Sequence, residues 1–245
     1  MVTKLKENLK IPVTCKIRCL PNEADTLVLA KEIEKAGASL LTVHGRTRDH
    51  NKQTVGPAHH AVIKKIKETL KIPVIVNGGI SDFQDVQTAL KNTGCDGVMS
   101  SESILEYPAL FDPSKVYDMD ELALEYLQFY KDYPGEANPK ILRCHLHKFL
   151  HSGFTVHGFT DLRDKLNKIN PRGDDVVPMY RDLVLEMKER RKDIPAIDKI
   201  SWYYRHWKDS GTQALEGLKN KSNLPSSMIF DCSWDEWMSN DPRNP

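Results

Sequence analysis

Leu70-Lys71-Ile72-Pro73-Val74-Ile75-Val76-Asn77-Gly78-Gly79 is the stretch on which the fold turns. An amphipathic segment ends, a proline admits the chain to a β-branched run, and the run stops at one polar residue and two glycines. The first half of that phrase also stands earlier, as Leu9-Lys10-Ile11-Pro12-Val13. Working outward, four such runs fill the first 111 residues: Pro12 to Arg18, Leu40 to Gly45, Pro73 to Gly79 and Gly97 to Ser101. Between them lie stretches of helical periodicity such as Ala24 to Lys35 and Ala61 to Leu70. Strand alternating with helix predicts an α/β fold with a parallel sheet. Its polar strand ends should gather along one edge, where TIM barrels and doubly wound sheets alike hold ligands.

An eight-unit (β/α)8 barrel takes about 250 residues, and four units here use fewer than half that number. The expectation is half a TIM barrel over residues 1–117, whose first and last strands would expose apolar edges unless another segment closes the sheet. From about Asp118 the strand pattern stops. Met119 to Tyr130, Lys140 to His151, Phe159 to Asn167 and Tyr180 to Arg191 read as helices divided by Gly and Pro, which predicts a helical domain over 118–192. Residues 193–245 are polar and carry Trp202, Trp207, Trp234 and Trp237, a C-terminal extension with no assignable compact structure.

Composition narrows the function classes. Of 245 residues 40% are hydrophobic, enough for a packed core, and Lys+Arg number 35 against 34 Asp+Glu. Bulk charge therefore does not announce a nucleic-acid binder, and any RNA contact must come from local basic faces. Five dispersed cysteines without a CxxC argue against a disulfide framework or zinc ribbon and fit a reducing compartment. No apolar run reaches the ~18 residues of a membrane span. The expectation is a soluble cytoplasmic protein, with nuclear residence left open.

The strand ends carry a recognisable combination: Val13-Thr14-Cys15-Lys16-Ile17-Arg18, then Leu41-Thr42-Val43-His44-Gly45-Arg46-Thr47-Arg48, then Val74-Ile75-Val76-Asn77-Gly78-Gly79-Ile80, then Asp96-Gly97-Val98-Met99 with Tyr107-Pro108-Ala109-Leu110-Phe111. In order and spacing they resemble strands five to eight of the tRNA-dihydrouridine synthases. The helix bearing Arg143, His145, His147 and Lys148 is similar to the RNA-binding domain of the eukaryotic branch acting at D-loop positions 16 and 17. The resemblance covers roughly residues 5–170. It implies the C-terminal half of the family's barrel, FMN as cofactor, NADPH as reductant, and reduction of a flipped-out uridine in tRNA to 5,6-dihydrouridine.

Carried over residue by residue, the resemblance makes Lys16 and His44 FMN contacts, and makes Asn77-Gly78-Gly79 and Ser101-Glu102 the phosphate loops. Many relatives have Gly-Arg in place of Ser101-Glu102, so phosphate binding here would rest on main-chain donors and a serine hydroxyl. The residues agree with these roles and also allow plainer ones. A strand lysine is costly to bury without an anionic partner, but it can snorkel. A strand-end histidine can be structural, and a glycine pair can be a turn that binds nothing. Arg46, Arg48, Arg143 and Lys148 are candidate contacts to tRNA phosphates. Cys144, His147 and His151 share one helix face without a second ligand group, so a metal is not expected; His59-His60 are given no role.

The family's proton donor is a cysteine in an Asn-x-x-Cys-Pro motif, which does not occur here: none of Cys15, Cys19, Cys95, Cys144 or Cys232 is followed by proline. The expectation is a chain that needs the N-terminal half-barrel to close its sheet and is inactive alone. A non-catalytic tRNA- or protein-binding module is the alternative. A dihydroorotate-type FMN enzyme is disfavoured by His44-Gly45-Arg46-Thr47 followed by a helical domain.

Overall fold

The computed structural model describes residues 1–50, 56–133, 139–155, 157–171 and 176–193. Apart from Asp193, the Trp-bearing extension read from the sequence lies outside the described residues. The elements are α1 (Val2–Asn8), β1 (Thr14–Cys19), α2 (Glu23–Lys35), β2 (Leu40–Thr47), α3 (His60–Thr69), β3 (Val74–Asn77), α4 (Phe83–Thr93), β4 (Gly97–Met99) and α5 (Ser103–Glu106). A 3-10 turn (Pro108–Phe111) then leads to α6 (Met119–Asp132), α7 (Pro139–Phe149), α8 (His151–Thr155), α9 (Thr160–Lys168) and α10 (Val176–Arg191).

The four strands are all parallel, in the order β1-β2-β3-β4. A sequential order with crossovers of the usual right hand places successive helices on one face. One buried cluster accordingly joins Leu41, Val43, Val74 and Val76 of the sheet to Ala30, Ile63, Ile66, Val86 and Ala89 of α2, α3 and α4. Since strand side chains alternate, the opposite face carries the other set. Lys16, Thr42, Ile75 and Gly97 form one row across it, and Arg18, His44, Asn77 and Met99 form the next.

The repeated Leu-Lys-Ile-Pro-Val phrase has one structural meaning. Leu9 and Leu70 both end a helix in extended conformation, their N–H groups bonded to the carbonyls of Leu5 and Ile66. Carboxylates then steady the entries to the sheet. Glu34 accepts from the Lys71 and Ile72 amides at 2.7 and 2.9 Å, and Asp96 accepts from the Val74 amide at 2.7 Å and from Lys67. The Lys67 contact and the Val74 amide hold the Asp96 carboxyl below its ordinary pKa.

The helices after Asp118 build a second core from Leu127, Leu142, Leu146, Leu150, Leu162, Leu166, Leu183 and Met187, among others. Asp118 and Glu121 start α6 as a capping box. Two boundaries differ from the sequence reading. The predicted Lys140–His151 helix is divided into α7 and α8 at Leu150, although the Leu150 and Phe154 amides still bond four residues back. The last helix begins at Val176 rather than Tyr180, because Val176 is buried in this core and Pro178 is tolerated in a first turn.

Tyr180 is fully buried, yet its hydroxyl has no hydrogen-bond partner among the described residues. A buried hydroxyl left unpaired is destabilising. Tyr180→Phe is therefore expected to raise stability, by up to about 1 kcal/mol in urea unfolding.

Candidate functional site

The site is built where the second row reaches the C-terminal ends of the strands. Register alone places Arg18, His44 and Asn77 side by side on β1, β2 and β3. Beyond His44 the pairing of β1 with β2 jumps from Arg18↔His44 to Cys19↔Thr47, so Gly45 and Arg46 form a bulge. Bulges re-aim side chains. Here Gly45 lies so close to the chain before α3 that an added Cβ would sit 3.0 Å from the His59 amide nitrogen, and its carbonyl accepts from that amide at 2.6 Å. Arg46 is turned inward, 6% exposed, with its Nε donating to the Gly56 carbonyl at 2.9 Å and a terminal nitrogen 3.3 Å from His44 Nε2.

A guanidinium only donates, so this contact assigns the tautomer of His44: Nε2 accepts and Nδ1 carries the proton. His44 is held neutral, its pKa pushed down to about 4, first by burial and then by the charges of Arg18, Arg46 and Lys16, with Glu102 pulling the other way. The Lys16 ammonium is likewise lowered, by burial and then by Arg18, although the residue as a whole is exposed. Three cations thus surround one neutral imidazole. Such a cluster suits an anionic ligand.

The His44 shift fixes a pH dependence. Unfolded, the imidazole takes a proton near pH 6.5; folded, it does so only near 4. Between those values the unfolded chain binds more protons, so the stability held above pH 6.5 is lost as pH falls toward 4. His145, His147 and His157 are lowered too, mainly by burial, and contribute in the same direction. The share belonging to His44 is the part of the slope in urea midpoint between pH 6.5 and 4 that disappears in His44→Gln.

Next along the row, Asn77 is 3% exposed. Its Nδ2 donates to the Met99 carbonyl at 2.8 Å, while its Oδ1 is buried without a partner among the described residues. A buried acceptor left open at a strand end calls for a donor from water or a ligand. Gly78 and Gly79 follow at φ +98° and +72°, conformations that side chains avoid. A Cβ on Gly78 would stand 2.6 Å from the His44 ring, so glycine is required there by contact as well. Ser101 and Glu102 are exposed after β4, and the Glu102 charge reaches both His44 and Arg46. It offsets part of the cation cluster.

A cavity of about 270 Å³ opens nearby, lined by Cys19, Glu23, Thr26, Thr47, His50 and His59 among others. None of Lys16, His44 or Asn77 lines it. The ligand is better placed at the row itself, because the unpartnered acceptor and the cations are there.

With this geometry in place, comparison with known proteins is decisive. A family model described as dihydrouridine synthase (Dus) matches residues 1–147, more than half of the chain. The chain belongs to the dihydrouridine synthase family. Among relatives of this Dus chain, a mouse (Mus musculus) protein named tRNA-dihydrouridine(16/17) synthase NAD(P)(+)-like is 40% identical over 211 residues, which cover 84% of this chain and 43% of that protein. A tRNA-dihydrouridine(16/17) synthase NAD(P)(+) of Schizosaccharomyces pombe is 36% identical over 206 residues, covering 78% and 51%. The Dus chain spans about half the length of the curated relatives it matches. A solved mandelate oxidase overlaps 74% of the chain and 67% of its own at TM-score 0.31 and 14% identity, too remote to bear on the site.

Three residues of the Dus chain that sequence reading passed over belong to this site. Arg18 reaches across from β1 to donate to the Thr47 and His50 carbonyls at 2.9 and 3.0 Å, tying down the turn after β2. His59 fixes the bulge, and His60 Nε2 lies 2.8 Å from the Gly78 carbonyl oxygen. Of the candidate RNA contacts, Arg48 is exposed in the turn just after β2. Arg143 donates to the Asn167 carbonyl at 3.2 Å, and His147 Nε2 meets the Asn167 side chain at 2.9 Å. His145 meets the Tyr126 hydroxyl at 2.6 Å. Much of the α7 basic face thus holds the helical core together, and Lys148 stands half-buried on the same helix. Among the described residues no group of three or more His, Cys, Asp or Glu is placed to hold a metal.

Proposed function

We propose that this chain is the FMN- and tRNA-contacting C-terminal half of a tRNA-dihydrouridine synthase acting on D-loop positions 16 and 17, with NADPH as the reductant. Family membership and the names of the relatives support the reaction. The single observation that carries the cofactor is the buried, unpartnered Oδ1 of Asn77 beside a neutral His44 ringed by cations. A flavin mononucleotide offers what that edge lacks: a donor for Asn77, and negative charge for the cations.

In this reading the four βα units are strands five to eight of an eight-unit barrel. FMN, when bound, supplies the hydride to uridine C6. Lys16 would face the negative edge of the bound ring system, and His44 would donate to the cofactor from Nδ1. Asn77 accepts from the cofactor, while Gly78, Gly79 and Ser101 receive the phosphate on main-chain and hydroxyl donors. Arg48, with Arg143 and Lys148 on the helical part, meets tRNA phosphates. No cysteine in this sequence is followed by proline, so the chain is assigned no proton donor for uridine C5.

The test uses the full chain, free FMN, NADPH and unmodified tRNA. FMN binding seen by quenched flavin fluorescence, together with salt-dependent tRNA binding and no dihydrouridine formation, is the expected result. Absence of flavin binding with retained tRNA binding would favour the non-catalytic module. Turnover by the chain alone would overturn the assignment of no proton donor.

A further inference from the structure

We propose that His60 is a positioning residue for the phosphate end of this site, its Nε2–H holding the Gly78 carbonyl so that the Gly79 N–H faces the ligand; the proposal rests on the flavin reading above. The geometry starts at the first residue of α3, where His60 Nε2 lies 2.8 Å from the Gly78 carbonyl oxygen. A carbonyl only accepts, so Nε2 must carry the proton.

The consequence lies on the other side of the same peptide. The Gly78–Gly79 bond is trans, so the Gly78 C=O and the Gly79 N–H point in opposite directions within one plane. With the carbonyl drawn toward α3, the N–H is turned away from it. No described residue accepts that N–H. Further along the turn, the Ile80 carbonyl is engaged by Ser100 Oγ at 3.2 Å and the Ser81 amide by Asp85 at 2.8 Å. The Gly79 N–H is thus an open donor two residues from an open buried acceptor, Asn77 Oδ1.

A clamp is needed because two successive glycines at positive φ can reverse the peptide between them at little steric cost. Reversal would present a carbonyl oxygen to the phosphate where a donor is required. His60 decides between the two faces from 18 residues away in sequence.

The experiment compares FMN with riboflavin, which lacks the phosphate, on the full chain carrying His60→Leu or His60→Gln. A glutamine amide places an N–H donor near the position of Nε2, and leucine places none. Expected is a loss of about tenfold in FMN affinity for His60→Leu, as for one hydrogen bond to a charged group, with riboflavin affinity unchanged and FMN affinity restored by His60→Gln. Equal losses for both flavins, or no loss for FMN, would overturn the positioning role. If the unsubstituted chain binds neither flavin, the cofactor reading fails separately. His60 is then judged with inorganic phosphate: a Gly79 amide shift in 15N NMR that vanishes in His60→Leu upholds the clamp, and its absence in the unsubstituted chain refutes it.

Discussion

Gly78→Ala is expected to unfold at clearly lower urea concentration than the unsubstituted chain and to lose at least about tenfold in FMN affinity, some 1.4 kcal/mol. Two causes act together. At φ +98° the backbone holds a conformation that costs an alanine about 1 to 3 kcal/mol. The new methyl would also stand 2.6 Å from His44 Cδ2 and 2.9 Å from its Nε2, and that ring cannot swing aside without breaking its contact with Arg46. Relief must come from displacing His44, the bulge or the glycine turn, each of which faces the ligand. Gly94→Ala provides the control. It is also left-handed, at φ +68°, but its added methyl meets nothing within 4 Å. It should cost only about 1 kcal/mol and leave binding unchanged. Urea midpoints and fluorescence titrations of the two variants separate backbone strain from collision at the site.

The reason Gly78 could be singled out from sequence while Arg18 and His60 could not lies in how each signal is written. The strands were legible because β-branched runs at Val13, Leu41 and Val74 follow one another at βα spacing and end in polar residues. Each of those signals is local. The Leu9 and Leu70 phrases made the helix-to-strand turn visible twice. Helix α1 was not legible, because it contributes no buried residue and so writes no apolar stripe. Lys16, His44 and Asn77 stood out as polar residues ending apolar runs. Arg18 did not, since its role depends on carbonyls 29 and 32 residues away. Nor could His60, whose partner is a backbone oxygen 18 residues away in the turn after β3. The basic face of α7 was misleading for a related reason: sequence shows which residues share a helix face and leaves open whether another helix covers it. In the fold, Asn167 of α9 takes both Arg143 and His147.

Arg46→Met probes the cation cluster and the neutral histidine in one substitution. Arg46 is buried, and burial lowers its own pKa; its nearest rewards are the Gly56 carbonyl, the His44 ring and the Glu102 charge. Methionine can fill much of the same volume, so the fold should survive with the loss of about one hydrogen bond, roughly 1 kcal/mol. Binding should suffer more. A charge-assisted contact to an anion contributes about 1.5 to 3 kcal/mol, so FMN affinity is expected to fall about 10- to 100-fold. The same change alters His44 in a direction that can be worked out beforehand. Removing a nearby cation favours the charged imidazole, so the His44 pKa rises from about 4 toward its ordinary value while burial and Arg18 still hold it below. Nε2, relieved of the Arg46 donor, becomes free to carry the proton. In 15N NMR the unsubstituted chain should show His44 as the Nδ1–H tautomer down to about pH 5, and the variant should show protonation beginning at higher pH. A fall in affinity without movement of His44 would mean that Arg46 serves the ligand directly and that the bulge is not what keeps the histidine neutral.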